Sequence, residues 1–217
     1  LTGSADKTAK LWRVDGTEVQ TFLGHNRGIS SVAFSPDGKY VLTGSSDQTA
    51  KLWKLDGTEV QTFLGHTWMI DAVAFSPDGR TLLVTAQNLG NTSLFSVDVA
   101  SGAVTELVHE GTIRSPAFAG SRLVFAMDHL RSPVELYSSR LDGADIRPIT
   151  RVNEPRLAAI RLGDPEQMTF PGAGGDQVHA WLVKPVDFDP SKTYPVAFII
   201  HGGPQGSSSN NFHYRWN

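Results

Sequence analysis

LTGSADKTAKLWRVDGTEVQTFLGH, residues 1–25, recurs as LTGSSDQTAKLWKLDGTEVQTFLGH, residues 42–66, with four substitutions and an offset of 41. The segments that follow match as well: ISSVAFSPDGKYV starts at Ile29 and IDAVAFSPDGRTL at Ile70. A period of this size suits one four-stranded propeller blade, about 40–45 residues. Within each copy the short β-branched or aromatic runs, VAF, Tyr40–Leu42 and Leu52–Trp53, read as strands. Turn signals divide them: Ser35-Pro36-Asp37-Gly38, Ser46-Asp47-Gln48, Asp56-Gly57 and Gly65-His66. No stretch keeps a helical period over three turns, so an all-β chain is expected to about residue 150.

Composition agrees. The 217 residues are 40% hydrophobic and 19% charged, with 21 Gly and 12 Pro, the balance of a soluble, turn-rich β protein. No unbroken apolar run is long enough to span a membrane. The net charge of -3 gives no ground for a nucleic-acid partner. Without cysteine there are no disulfides or thiolate metal sites, and cytoplasm and periplasm stay equally open as compartments. The chain opens at Leu1 inside a repeat unit and closes at Asn217 just after an aromatic run, the pattern expected of part of a longer polypeptide.

Residues 1 to about 80 resemble the WD-repeat family. The marks are Gly24-His25 and Gly65-His66, the Ser-Pro-Asp-Gly turn, and Trp12 and Trp53 at the end of a strand, each followed by Arg or Lys where the family usually has Asp. The resemblance implies a structural network of His25, Asp47 and Trp53 with a hydroxyl from Thr43 or Ser45, which would satisfy a buried imidazole. His66 lacks matching partners, because Asn88 and Phe95 stand where Asp and Trp are expected. Such an array also implies a protein partner as one possible use.

From about residue 81 the signature residues disappear while short strands continue, at 94–108, Ile113–Phe118, Leu123–Ala126 and Val134–Ser139. Residues 81–152 therefore read as degenerate blades, for three to four blades in all. Residues 153–166, with Pro155 and Pro165, read as a linker. Two strands, Gln167–Phe170 and Val178–Val183, follow in the unit 167–217. Val196–Ile200 is an apolar run without alternation, as in a strand buried on both faces. It stops at His201-Gly202-Gly203-Pro204-Gln205-Gly206, where the absence of a Cβ lets backbone N–H groups approach an anion.

An early strand ending in such a loop is where α/β-hydrolases carry half of an oxyanion hole. Residues 82–217, and HAWLVKPVDFDPSKTYPVAFIIHGGPQGSSSNNFHYRWN above all, resemble the prolyl oligopeptidase family, in particular its bacterial dipeptidyl-peptidase and acylaminoacyl-peptidase branches. The resemblance implies a propeller that admits short peptides to a hydrolase domain, of which only the first strands lie here. It implies oxyanion and substrate contacts from His201, Gly202, Gly203 and Pro204, with Phe212, Tyr214 and Trp216 at the site entrance or packed beneath it. No G-x-S-x-G occurs, and the family order Ser, Asp, His puts the whole triad beyond Asn217. No HExxH, P-loop or dinucleotide fingerprint points to a metal or cofactor. The expectation is the N-terminal part of a serine peptidase, inactive alone, with a WD-repeat scaffold as the alternative.

The two resemblances meet at Ala74–Thr81, a turn common to both kinds of propeller. A join of two lineages is expected there, either by natural recombination or by an assembly error in the reading frame. An array that does not close leaves edge strands exposed, so poor solubility is expected of the isolated chain.

Overall fold

The computed structural model describes residues 1–200 and 209–213. Its strands fall into four successive blades and a separate hairpin, a partial β-propeller. The first blade comprises β1 (Thr2–Gly3), β2 (Ala9–Trp12) and β3 (Glu18–Phe22). The second has β4 (Ile29–Phe34), β5 (Tyr40–Ser45), β6 (Ala50–Lys54) and β7 (Glu59–Phe63), paired antiparallel in that order. The third has β8 (Ile70–Phe75), β9 (Thr81–Asn88), β10 (Asn91–Asp98) and β11 (Val104–Val108). The fourth has β12 (Thr112–Ala119), β13 (Arg122–His129), β14 (Ser132–Arg140) and β15 (Arg147–Pro148). One parallel pair, Thr92 with Thr112, stitches the third blade to the fourth.

The repeat is visible in the hydrogen bonds. In the turn after β4, Ser35 N donates to Tyr40 O at 2.9 Å and Ser35 Oγ caps Tyr40 N at 2.9 Å. In the turn after β8, Ser76 N donates to Thr81 O at 2.8 Å and Ser76 Oγ caps Thr81 N at 2.9 Å. The stretch where the two resemblances meet thus folds as the same turn as its upstream copy. Register shifts also repeat, at Ile29/Ser31 and again at Ile70/Ala72.

Three apolar clusters fill the seams between successive blades. Ala9, Phe22, Ile29, Val41 and Trp53 lie in the first seam. Leu42, Leu52, Phe63, Ile70, Val73, Leu82 and Val84 are among those in the second. Leu83, Leu94, Val108, Ile113, Leu123, Phe125 and Met127 form the third. A blade buries both faces because each seam takes one, which is why β5 is buried from Val41 to Ser45 rather than on alternate residues. Gly44 sets how closely β5 and β8 approach: an added Cβ would stand 2.7 Å from Ile70 Cγ2 and 2.9 Å from Val73 Cγ1. Gly3, its copy one period earlier, meets Ile29 Cγ2 at 2.7 Å and Val32 Cγ1 at 3.1 Å.

Past the fourth blade the linker reading needs refinement. A one-turn helix, α1 (Glu154–Leu157), forms with Pro155 in its first turn, where a missing N–H costs nothing. Asn153 ties it back to β14, donating to Glu135 Oε1 from N at 2.8 Å and from Nδ2 at 2.9 Å. β16 (Pro165–Pro171) and β17 (Gln177–Val183) then pair as a hairpin. The expected strand at Val196–Ile200 does not form. These residues take no regular secondary structure, with Ile199 80% exposed, and no neighbouring strand among the described residues offers them a ladder.

The close approach at Gly44 gives a direct test. Gly44→Ala forces Ile70 and Val73 away and should destabilise the chain by about 1–3 kcal/mol, read as a lower midpoint in thermal denaturation; an unchanged midpoint would mean the seam has slack.

Candidate functional site

Blade 2 holds a chain of polar side chains in its interior. His25 sits on the connection between β3 and β4, at the seam between blades 1 and 2. Its Nδ1 is 2.8 Å from Asp47 Oδ2 and its Nε2 is 2.7 Å from Thr43 Oγ1. Trp53 Nε1 donates to the same Thr43 oxygen at 2.9 Å. An indole only donates and a carboxylate only accepts, so with a neutral imidazole the chain runs one way: Trp53 N–H to Thr43, Thr43 O–H to His25 Nε2, His25 Nδ1–H to Asp47. Of the two hydroxyls named from sequence, Thr43 joins the chain. Ser45, one pleat further along β5, donates instead to the carbonyls of Gly28 and Arg27 at 3.0 and 3.1 Å.

Asp47 collects further donors. Asn26 N at 2.9 Å shares Oδ2, and Thr49 gives Oδ1 its N at 3.1 Å and its Oγ1 at 2.7 Å. Burial alone would raise this carboxyl, but the bonds from Thr49, Asn26 and His25 outweigh it and hold Asp47 at about 2. Burial pushes His25 below the usual imidazole range, and the Asp47 carboxylate opposes that without reversing it. The pair is therefore a neutral imidazole on a carboxylate, not an ion pair. Gly24 explains the Gly-His dipeptide: its φ is 149°, and a Cβ would meet the Trp53 ring at 3.0 Å. The His25 and Asp47 side chains are only 1% and 8% exposed, and the arrangement orders a connection between blades.

The other copies differ. In blade 1, Trp12 Nε1 reaches Thr2 Oγ1 at 2.9 Å and Asp6 accepts from Thr8 Oγ1 at 2.7 Å. At the next seam His66 stands edge-on to Phe95, ring centroids 4.9 Å apart, and burial lowers its pKa. Asn88 turns to Glu106, at 3.0 Å. A ring contact has replaced the polar chain.

His201, Gly202, Gly203 and Pro204 lie outside the described residues, as do Tyr214 and Trp216. The segment just after the Gly-rich stretch is described, and it rests on the propeller. Phe212 N donates to Asp128 Oδ2 at 2.9 Å, and Asn210 bonds to blades 3 and 4. Sequence reading had no signal for these contacts, since partners such as Asn91 and Asn210 are 119 positions apart. An open depression of about 700 Å³ lies among Arg131, Arg161, Asp164, Lys184 and Asp187. Its cations are spoken for: Arg131 pairs with Asp164, Arg161 with Asp187, and Lys184 with Glu166. Among the described residues no group of three or more His, Asp or Glu could hold a metal, and no helix is long and apolar enough to cross a membrane.

A model described as WD domain, G-beta repeat matches residues 16–54 and 57–93. These two stretches are similar to WD repeats. Each WD repeat here starts at the outer strand of one blade and runs through three strands of the next, β3 to β6 and then β7 into β10, so the covalent repeat spans a seam. The second WD repeat runs on to residue 93, beyond the turn where the resemblance to that family was expected to fade. The chain is also 37% identical over 143 residues to a probable dipeptidyl-peptidase 5 of Arthroderma benhamiae, covering 63% of this chain and 20% of that one. It is 35% identical over 141 residues to dipeptidyl-peptidase 5 of Schizosaccharomyces pombe, with the same coverage. The chain spans about a fifth of the length of these relatives.

The low pKa of Asp47 fixes the sign of an acid effect. Above about pH 4 the folded and unfolded carboxyls are both ionised and the stabilisation is complete; as pH falls through the folded value near 2 it is lost, on the order of 2 kcal/mol. Neutral His25 acts in the same direction from about pH 6.5 downward, because the unfolded imidazole takes the proton first. Asp47→Ala should cost about 1–3 kcal/mol at pH 7 by stranding the buried imidazole N–H. Melts between pH 4 and 2, where the Asp47 carboxyl titrates, should show a shallower acid loss in the variant; parallel curves there would count against this role.

Proposed function

We propose that the chain is the N-terminal part of a serine peptidase of the prolyl oligopeptidase family, with the propeller of WD and degenerate blades standing before a hydrolase domain. The observation that carries the reading is the identity of 35–37% to proteins named dipeptidyl-peptidase 5 over 63% of the chain. The His201–Gly206 stretch behind an apolar run supports it from the chemical side.

In this reading the complete protein hydrolyses short peptides by acyl transfer through Ser, His and Asp. The amides of Gly202 or Gly203, with His201 and Pro204 around them, face the carbonyl oxygen as it becomes an oxyanion. One such donor is worth about 3–4 kcal/mol in the transition state. The nucleophile, its base and the base's carboxylate lie beyond Asn217, so this chain alone is inactive. The two matched WD repeats favour a second reading, a scaffold that binds a protein partner through the propeller.

Reads of the source DNA through residues 60–100 and past Asn217 separate these readings and the chimeric one. The peptidase reading expects an intact junction and, downstream, a G-x-S-x-G followed by Asp and then His. A fluorophosphonate should label the complete product and leave the 217-residue chain unlabelled. A stop soon after Asn217 supports the scaffold, reads that never cross the junction support an assembly error, and labelling of the short chain contradicts the assigned triad.

A further inference from the structure

Residues 209–213 lie across the ends of blades 3 and 4, and Asn210 uses every polar group it has there. Its N donates to Gly90 O at 2.6 Å and its O accepts from Thr112 Oγ1 at 2.9 Å. Its Oδ1 accepts from Leu130 N at 3.0 Å and its Nδ2 donates to Asn91 Oδ1 at 2.9 Å. Two residues on, Phe212 N donates to Asp128 Oδ2 at 2.9 Å.

The receiving side is built. Asn91 and Asp128 are each only 2% exposed and Thr112 8%. Asn91 Oδ1 is oriented by a second donor, Gly111 N at 3.2 Å, and Asp128 is held by Arg114. Without the segment, Thr112 Oγ1, Leu130 N and one oxygen of Asp128 would lose these partners, while Asn91 Oδ1 would keep Gly111 N. The spacing of acceptor and donor facing the Asn210 side chain matches a carboxamide. A carboxylate would put a lone pair against Asn91 Oδ1, and an alanine would satisfy neither partner.

We propose that the ends of blades 3 and 4 form an asparagine-reading site for a peptide that bends at the asparagine, as Asn211 N bonding to Ser209 O at 2.8 Å makes it do here, and that its resident ligand is the chain's own segment 209–213. Gly90, Asn91, Thr112, Asp128 and Leu130 do the reading, and the segment that follows the Gly-rich stretch is thereby fastened to the propeller. The site stands on this geometry alone and holds under either reading of the chain's function.

The test fills the site from outside. In the full 217-residue chain carrying Asn210→Ala, the resident segment loses its side-chain contacts and the tethered competitor is weakened. A labelled peptide of residues 207–213, SSSNNFH, should bind this variant at least ten-fold more tightly than it binds the wild-type chain, read by fluorescence anisotropy. The same peptide with alanine in place of Asn210 should lose that advantage, and adding Thr112→Val to the variant should weaken binding of the parent peptide. The melt of the blades reports that the variants are folded. Equal affinity for wild type and variant, no binding to the folded variant, or indifference to the alanine peptide would each overturn the proposal.

Discussion

A buried imidazole must satisfy two ring nitrogens at once, and His25 does so by joining one blade to the next. It sits on the strand-to-strand connection between blades, and its partners Thr43 and Asp47 belong to blade 2. The connection can therefore take one position relative to the sheet. That position lays Phe22 against Trp53, ring centroids 5.9 Å apart, and closes the first seam. Hydrogen bonding fixes the geometry here, while burial of the apolar seam supplies most of the stabilisation.

Where the polar chain is absent the seam still closes by other means. His66 against Phe95 replaces direction with contact area, and the second and third seams hold the larger apolar clusters. Seam packing thus forms the common layer of the array and the polar chain is an addition in blade 2. Loss of the signature residues past residue 85 did not end the propeller for this reason: β10, β12 and β13 still place Leu94, Ile113, Leu123 and Phe125 in the third seam.

Much of this was legible in sequence because the repeat prints it twice. The offset copies locate strands and turns through blade 2 and the start of blade 3, and the spacing of His25, Asp47 and Trp53 marks one blade's interior. The choice between Thr43 and Ser45 was not legible. Both lie on the same face of β5, and only the register with β6 puts Thr43 within reach of the indole. Gly44 looks like a turn residue in a string, yet its meaning is the distance to Ile70 on the next blade. The fastening of Asn210 depends on partners 80 to 120 positions away, for which a single sequence offers no periodicity to follow. The run Val196–Ile200 carries the pattern of a buried strand, but pattern cannot supply the neighbouring strands that a buried ladder requires.

The connection between blades 1 and 2 is held by a one-way chain of donation ending at Asp47, and the protonation of His25 reports on it directly. Nitrogen NMR of the ¹⁵N-labelled imidazole should show a neutral ring with its proton on Nδ1 at pH 7.5. It should stay neutral to a lower pH than the free side chain does. A doubly protonated ring at that pH, or a neutral ring with the proton on Nε2, would contradict the chain of donation and the ordering of the blades built upon it.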